Sequence, residues 1–443
     1  MGMIVDFNHG RKWMRMNISN KLFVLAAFIA VISLASVSCE KKGDKVATTA
    51  DNSPINILYD TPQLWAGPID DYLKVGNENY PDGFNKNIGT LDVFNNKLWI
   101  GYGDMTRNMG SDIPIEFRRF DDPSRPDIVS TPVSAEGQGA KQRTPTDTGE
   151  EQIYPFRKIN EQLWQAGHDS NSDDETWTQA IPGQERLIQG NIFVLDAKNG
   201  DLVWEKRRNI PGGEHVHDLA YFNGSIYGVG SGADHRREWE GGQIFRYLWQ
   251  SDDMGMTFKT IHRVMVPDTE KGDDTRYRAL LSVGNTLYVF GYMHYRETSK
   301  QEGRHITVKN NQISGLNGAV GSVVVRKTWP LHPMLGLAVG NYGPGVSRTF
   351  KIIQSGIKEL SGWSNLRVIY VTPGEKNGHW LVLAGSGTDE ETFSVYRFHE
   401  RSINQLSPVL DLGEMAFSSI ALWYGDLFLG SDDGKIYRSN SIR

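Results

Sequence analysis

One pattern recurs along this chain and limits what it can fold into. An apolar arm leads to a two-residue turn carrying Asn or Gly, then to Leu or Ile beside an aromatic, further apolar residues and a glycine. It is clearest at Val93–Gly101 (VFNNKLWIG), Tyr221–Gly230 (YFNGSIYGVG), Ser282–Gly291 (SVGNTLYVFG) and Leu422–Gly430 (LWYGDLFLG). Looser copies stand at Lys158–Gly167 and Gly378–Gly385, and a degraded one ends at Val339-Gly340. Each reads as a β-hairpin, because Asn and Gly supply the positive φ of a tight turn and the second arm is rich in β-branched and aromatic residues.

Spacing decides the architecture. Counted between the first residues of the second arms, Leu98, Leu163, Ile226, Leu287, Gly336, Leu381 and Leu427, the separations are 65, 63, 61, 49, 45 and 46 residues. A hairpin that returns every 40–50 residues or so, within a unit of four short strands, is the mark of a β-propeller blade. A sandwich or open barrel does not repeat one hairpin at a near-constant period. The expected fold is therefore all-β: a propeller of seven blades, each a four-stranded antiparallel sheet, with loop insertions in the longer early units. A single domain over 54–443 accounts for the whole series. After Gly430 only Lys435–Arg438 is left to form a strand. The apolar Ile55–Tyr59 is expected to complete that last blade and close the ring, since an unpaired sheet edge is a liability.

The N-terminus is of another kind. Arg11, Lys12, Arg15 and Lys21 precede an apolar run, Leu22–Val37, that is shorter than the roughly 20 residues of a membrane-spanning helix. The run ends Ser36-Val37-Ser38-Cys39, which resembles the lipobox of bacterial lipoproteins, with Ser36 where leucine is usual. The resemblance implies that 1–38 is a signal peptide and that Cys39, the one cysteine of the chain, is lipidated and becomes the new N-terminus. Met14 and Met16 offer alternative starts. Residues 39–53 are small and polar and read as a flexible tether. Glu40 stands where aspartate would favour inner-membrane retention, so the resemblance implies an outer-membrane lipoprotein of the cell envelope. A lipidated Cys39 also leaves no thiol for disulfides, zinc or nucleophilic catalysis.

Net charge is −6, and no basic block is long enough to follow a phosphate backbone, which argues against nucleic acid as the main partner; none is expected. Gln250–Phe258 contains Ser251-x-Asp253-x-Gly255-x-Thr257-Phe258, which resembles the Asp-box (BNR repeat) of sialidase-like propellers. In that family the box is a structural turn remote from the catalytic face. Ser431-Asp-Asp-Gly434 is a degenerate second copy, and Val194–Trp204 is similar to the repeat of quinoprotein propellers but occurs once. The sialidase resemblance further implies a Phe-Arg-Ile-Pro motif and an arginine triad. Here the nearest match is Phe156-Arg157-Lys158-Ile159, and Arg276, Arg278 and Arg367 have no spacing that fixes them as a triad.

Register locates a candidate binding face. In a propeller the starts of the inner strands and the ends of the second strands share one face of the disc. Counting five back from the end of each first arm gives Gly89, Tyr154, His217, Arg278 and Ser418; seven back gives Asn87, Gln152, His215, Arg276 and Ala416. Beyond the second arms stand Asp104, His168 with Asp169, Asp234 with His235, His294, Asp389 and Asp432. The expected face thus comprises Asp104, Tyr154, His168, Asp169, His215, His217, Asp234, Arg276, Arg278 and Asp389. No cofactor is expected. Were a divalent metal held, His215 and His217 would present two imidazoles to one side of a strand, with Asp169 or Asp234 as a third ligand. The polar excursion from Asp104 to Gly149 is placed to rim this face, and Trp177, Trp239 and Trp249 beside long connections would suit sugar stacking. The functional expectation is a lipid-anchored propeller that binds a glycan, peptide or partner protein, with a sialidase-like glycoside hydrolase or lyase as the alternative.

Overall fold

In the computed structural model, residues 57–69, 88–103, 114–134, 144–170, 178–179, 187–195, 202–270, 275–316, 318, 320–341, 347–386 and 392–442 are described. Cys39, Asn87, Asp104, Trp177 and Asp389 lie outside them, as does the side chain of Asp169.

The hairpins form where the turn chemistry places them. Asn95 and Asn96 take φ of 50° and 57°, and Asn223-Gly224 and Tyr424-Gly425 take 49° and 87°, and 52° and 90°. The arms then pair as the repeat requires: Val93 faces Leu98, Tyr221 faces Ile226, Ser282 faces Leu287 and Leu422 faces Leu427. Each hairpin is the inner pair of a blade, and seven such blades follow one another. Their inner strands are Thr90–Phe94, Phe156–Ile159, His215–Phe222, Arg276–Val283, Val324–His332, Leu366–Pro373 and Phe417–Trp423. Blades 1 to 7 are numbered in that order. The cores lie between blades: between blades 1 and 2, for example, Phe117 stacks on Trp204 at 3.9 Å and Trp99 meets the same ring edge-on at 5.5 Å.

Closure takes a different strand from the one expected. Gln63–Ala66, not Ile55–Tyr59, pairs with Ile436–Ser439 as the fourth strand of blade 7. Trp65 explains the choice, since its indole wedges against Phe428 and Trp423 of blade 7 and Phe120 of blade 1 at 4.9, 6.2 and 4.5 Å. Leu58–Tyr59 pairs instead with Ser441–Ile442, and Asp60 accepts the Asn440 N–H at 2.6 Å. The Tyr59 hydroxyl donates to Glu375 of blade 6 at 2.7 Å, so the segment is clasped by two blades.

The inner strands carry a device that the repeat pattern only hints at. In blades 3 to 7 one residue is bulged out of the ladder at the same register: His217, Arg278, Arg326, Ile369 and Ser418. A bulge bends its strand and re-aims a side chain. The glycine that ends each sequence copy lies beside it. A Cβ on Gly230 would stand 1.8 Å from the His215 carbonyl oxygen, and one on Gly291 2.8 Å from that of Arg276. Only a residue without a side chain lets the bulged strand come so near.

Candidate functional site

A cavity of about 390 Å³ runs along the propeller axis, lined by the inner strands of blades 1 to 6. That volume is in the range of small-ligand sites, about 300–1,000 Å³. Its two ends differ chemically. Where the inner strands begin it is walled by Tyr154, His168, His217, Arg278 and Arg326; where they end, by Tyr221, Ser282, Pro330, Pro373 and Trp380.

The first mouth is built in steps. The second strand of blade 2 runs on beyond Ala166 so that His168 pairs with His215 at the start of blade 3, and Gln152 pairs with His168 on its other side. Three imidazoles result. The His168 and His217 rings are 4.8 Å apart, His215 and His217 5.8 Å, and His168 and His215 6.0 Å. The next blades add guanidiniums. Arg276 donates from Nη1 to His217 Nε2 at 3.4 Å, and Arg326 donates to Gln301 Oε1 at 2.5 Å while lying over the Tyr292 ring. Arg278 is half-buried, lines the cavity and has no hydrogen-bond partner among the described residues.

Protonation follows from this crowding. His217 is held well below the ordinary imidazole value by burial first, then by Arg276, His168, Arg278 and His215, so it is neutral at pH 7. Burial, with Arg278 and Arg276 adding to it, also lowers Arg326 from its ordinary value. The mouth is therefore a pocket of positive potential. A divalent cation is poorly served there, since the Arg276 and Arg278 guanidiniums crowd the imidazoles with positive charge. The third side chain beside His215 and His217 is the His168 imidazole, and Asp234, one of the two carboxylates expected as a further ligand, is turned to Arg263 and Tyr247. Among the described residues no group of three or more His, Cys, Asp or Glu is arranged to hold a metal ion.

Below the mouth an ion pair joins two adjacent blades. Arg157 of blade 2 grips Asp218 of blade 3 through Nε at 2.6 Å and Nη2 at 2.7 Å, and its Nη1 donates to the Thr328 carbonyl of blade 5 at 3.2 Å. Burial alone would weaken the guanidinium charge, but the Asp218 carboxylate outweighs it and raises Arg157 above its ordinary value. Lys327 donates to the Ile369 carbonyl at 2.9 Å and lies 5.6 and 5.9 Å from the Tyr154 and Tyr370 rings.

Of the residues that register selected, Tyr154, His168, His215, His217, Arg276 and Arg278 gather at this mouth. Asp234 does not: it is held away from the cavity by Arg263 at 3.0 Å and by the Tyr247 hydroxyl at 2.7 Å. Arg367 is exposed and stands over the Phe393 ring, outside the cavity lining. Trp249 is buried core whose indole donates to the Pro211 carbonyl, and Trp239 is half-buried against Ile188 and Ala233, outside the cavity lining. Counting missed Arg326, Lys327 and the Arg157–Asp218 pair.

The Asp-box-like turn joins the third and fourth strands of blade 3, on the face opposite the histidines. Asp253 accepts the Thr257 N–H at 2.9 Å and both the Thr257 and Ser251 hydroxyls, while Gly255 takes φ of 78° and donates to Ser251 Oγ. Those donors, led by the Thr257 hydroxyl, lower the Asp253 carboxyl to about 2. Phe258 packs on the core between blades 2 and 3.

No protein-family model matches the chain, and no curated protein matches it in sequence. Among solved structures, the chain is similar to the β-propeller domain of the Trilobed protease from Pyrococcus furiosus at 10% identity and a TM-score of 0.42, covering 81% of this chain and 96% of that one. It is similar to the GH74 enzyme of Niastella koreensis at 11% identity and a TM-score of 0.47, covering 79% of this chain and 52% of that one. A polysaccharide lyase, the PL25 ulvan lyase, is similar at 11% identity and a TM-score of 0.43, covering 80% of this chain and 93% of that one.

Proposed function

We propose that this chain is a lipid-anchored, exported propeller whose histidine-and-arginine mouth binds an acidic glycan. The observation that supports it is the convergence of His217, Arg278 and Arg326, bulged residues of three consecutive blades, on one end of the axial cavity. Planar guanidiniums with donors to spare are matched to carboxylate or sulfate, and the Tyr154 and Tyr370 rings offer apolar faces to a sugar. A glycoside hydrolase needs two carboxylates across the scissile bond. Among the described residues, the carboxylates lining the cavity are Asp92 and Asp218, and each is engaged, by Lys158 at 2.5 Å and by Arg157 at 2.6 Å. That supports binding over hydrolysis.

Elimination from a uronate chain is the second reading. It is favoured by the neutral His217 beside guanidiniums, an arrangement in which an imidazole can take a proton next to a neutralised carboxylate.

Titration calorimetry with oligomers of glucuronate and, as a control, of glucose tests the proposal. The acidic oligomer should bind and the neutral one should not. Arg278→Ala should weaken binding roughly tenfold to a hundredfold, the range for a charge-assisted hydrogen bond of about 1.5–3 kcal/mol. Equal affinity for the two oligomers would overturn it. The appearance of an unsaturated uronate in the same sample, by its ultraviolet absorbance, would establish the second reading.

A further inference from the structure

Tyr154 and the three bulged residues of the mouth sit close to one buried network. Asp218 directly follows the bulged His217, and its oxygens accept the N–H groups of Leu219 at 2.8 Å and of Leu280 at 2.7 Å. Leu280 is two residues beyond the bulged Arg278. Arg157, three residues beyond Tyr154, fills the rest of the carboxylate and reaches Thr328 through both its carbonyl and its Oγ1, the latter at 3.1 Å. Thr328 is two residues beyond the bulged Arg326, and its own hydroxyl donates to the Leu280 carbonyl at 2.7 Å. One closed set of hydrogen bonds thus joins blades 2, 3, 4 and 5 within three residues of Tyr154, His217, Arg278 and Arg326. Asp218 is 1% exposed, and the set lies below the mouth, so it is not itself the first group an incoming ligand meets.

A bulge is the soft point of an inner strand, because its extra residue has no ladder partner to fix it. What lies just below it decides where it points. We infer that the Arg157–Asp218 pair is a positioning element: it sets the spacing between His217, Arg278, Arg326 and Tyr154, and through that spacing selects which anion fits. The inference rests on the mouth being an anion-binding site. A bidentate fork is suited to this role because it fixes direction as well as distance, which a lysine in the same place would not. Misplacing a binding group by about 1 Å is enough to lose much of its contribution.

Removing both charges together separates positioning from simple stabilisation, since a buried ion pair can be replaced as a unit with little loss of stability, whereas removal of one partner strands the other. In Arg157→Met/Asp218→Asn the asparagine keeps an acceptor oxygen near the Leu219 and Leu280 amides. The variant should show the parent near-ultraviolet circular dichroism, yet bind glucuronate hexamer about tenfold or more weakly and lose the preference between that hexamer and a sulfated one. A folded double variant with the parent's affinity and preference would overturn the inference. Should it fail to fold, Arg157→Lys, which keeps the charge without the fork, is measured in the same way.

A second readout needs no ligand. The His217 imidazole resonance, assigned with His217→Asn, should shift in either variant and titrate nearer the ordinary imidazole range as its packing loosens; an unmoved resonance would also overturn the inference. If the parent protein binds neither hexamer, the binding proposal itself fails, and the imidazole signal alone decides whether the pair positions the mouth.

Discussion

Blades 3 to 5 and blades 6 and 7 share one backbone device and differ in what they make of it. All five bulge at the same register, but the bulged residue is His217, Arg278 or Arg326 in the first group and Ile369 or Ser418 in the second. Ile369 is buried, and Ser418 spends its hydroxyl on the carbonyls of Ile88 and Gly430, both at 3.3 Å. The bulge is therefore part of how an inner strand is made here, and chemistry enters through one side chain per blade. The cationic mouth is lopsided for that reason: its donors come from one side of the ring, where the Arg157–Asp218 network also lies.

The sharpest way to break this comparison is acid. His305 of blade 4 donates from Nε2 to the Val323 carbonyl at 3.0 Å and accepts the N–H of Gly291, the glycine beside the Arg278 bulge, at 3.3 Å. Burial pushes its pKa down from 6.5 to about 4, with the Val323 bond acting weakly the other way. The sign follows: the unfolded chain takes up the proton first, so His305 contributes fully above about pH 6.5, and that contribution is lost as pH falls from 6.5 towards 4. The expected loss is about 3 kcal/mol. Urea unfolding at pH 7 and pH 4.5 should show this slope in the parent and a flatter one in His305→Gln. Hydrogen exchange should place the loss in blades 4 and 5. An equal slope in the two proteins would show that His305 is not the sensor.

A smaller effect is expected at the glycine beside the His217 bulge. Gly230→Ala would drive a Cβ to 1.8 Å from the His215 carbonyl oxygen, backbone that cannot swing aside. The strand must shift, at a cost of about 1–3 kcal/mol, and His215 and His217 move with it, so affinity for glucuronate oligomers should fall as well. Gly315→Ala is the control: nothing lies within 4 Å of its Cβ, and it should change stability by less than about 1 kcal/mol with no change in affinity. Thermal melts and titration calorimetry on the pair check both halves.

That glycine is also the measure of what the sequence made legible. The hairpin repeats because every blade needs an inner pair, so the blade number was readable from Val93–Gly101 and its copies. The closing glycine of each copy was readable too, though its cause, the bulge, was not. Counting from the hairpin turn reached Tyr154, His217 and Arg278, because blades 2, 3 and 4 keep a regular ladder between turn and mouth. It did not reach Arg326 because the blade 5 copy is degraded and gives no Asn or Gly turn to count from, and its hairpin carries a further irregularity between Pro330 and His332. It missed the Arg157–Asp218 pair since nothing local announces a partner 61 positions away. Closure went to Gln63–Ala66 because Trp65 fills the seam between the last blade and the first, and a run of apolar letters at Ile55–Tyr59 says nothing about which strand carries the wedge.

The smallest expected effect sharpens the comparison most. Ser418 occupies in blade 7 the position that Arg278 occupies in blade 4, so Ser418→Ala asks whether the position or the side chain matters. If every bulge of the ring took part in recognition, truncation in blade 7 would weaken binding as truncation in blade 4 does. If recognition belongs to the charged half, Ser418→Ala removes only two long hydrogen bonds to carbonyls that keep other donors nearby: the Ile88 carbonyl also accepts the Ser419 hydroxyl. Stability should then fall by about 1 kcal/mol or less, and affinity for glucuronate oligomers should stay at the parent value. Calorimetry on Ser418→Ala beside Arg278→Ala makes the test, and a matching loss of affinity in both would move the site from one side of the mouth to its whole circumference.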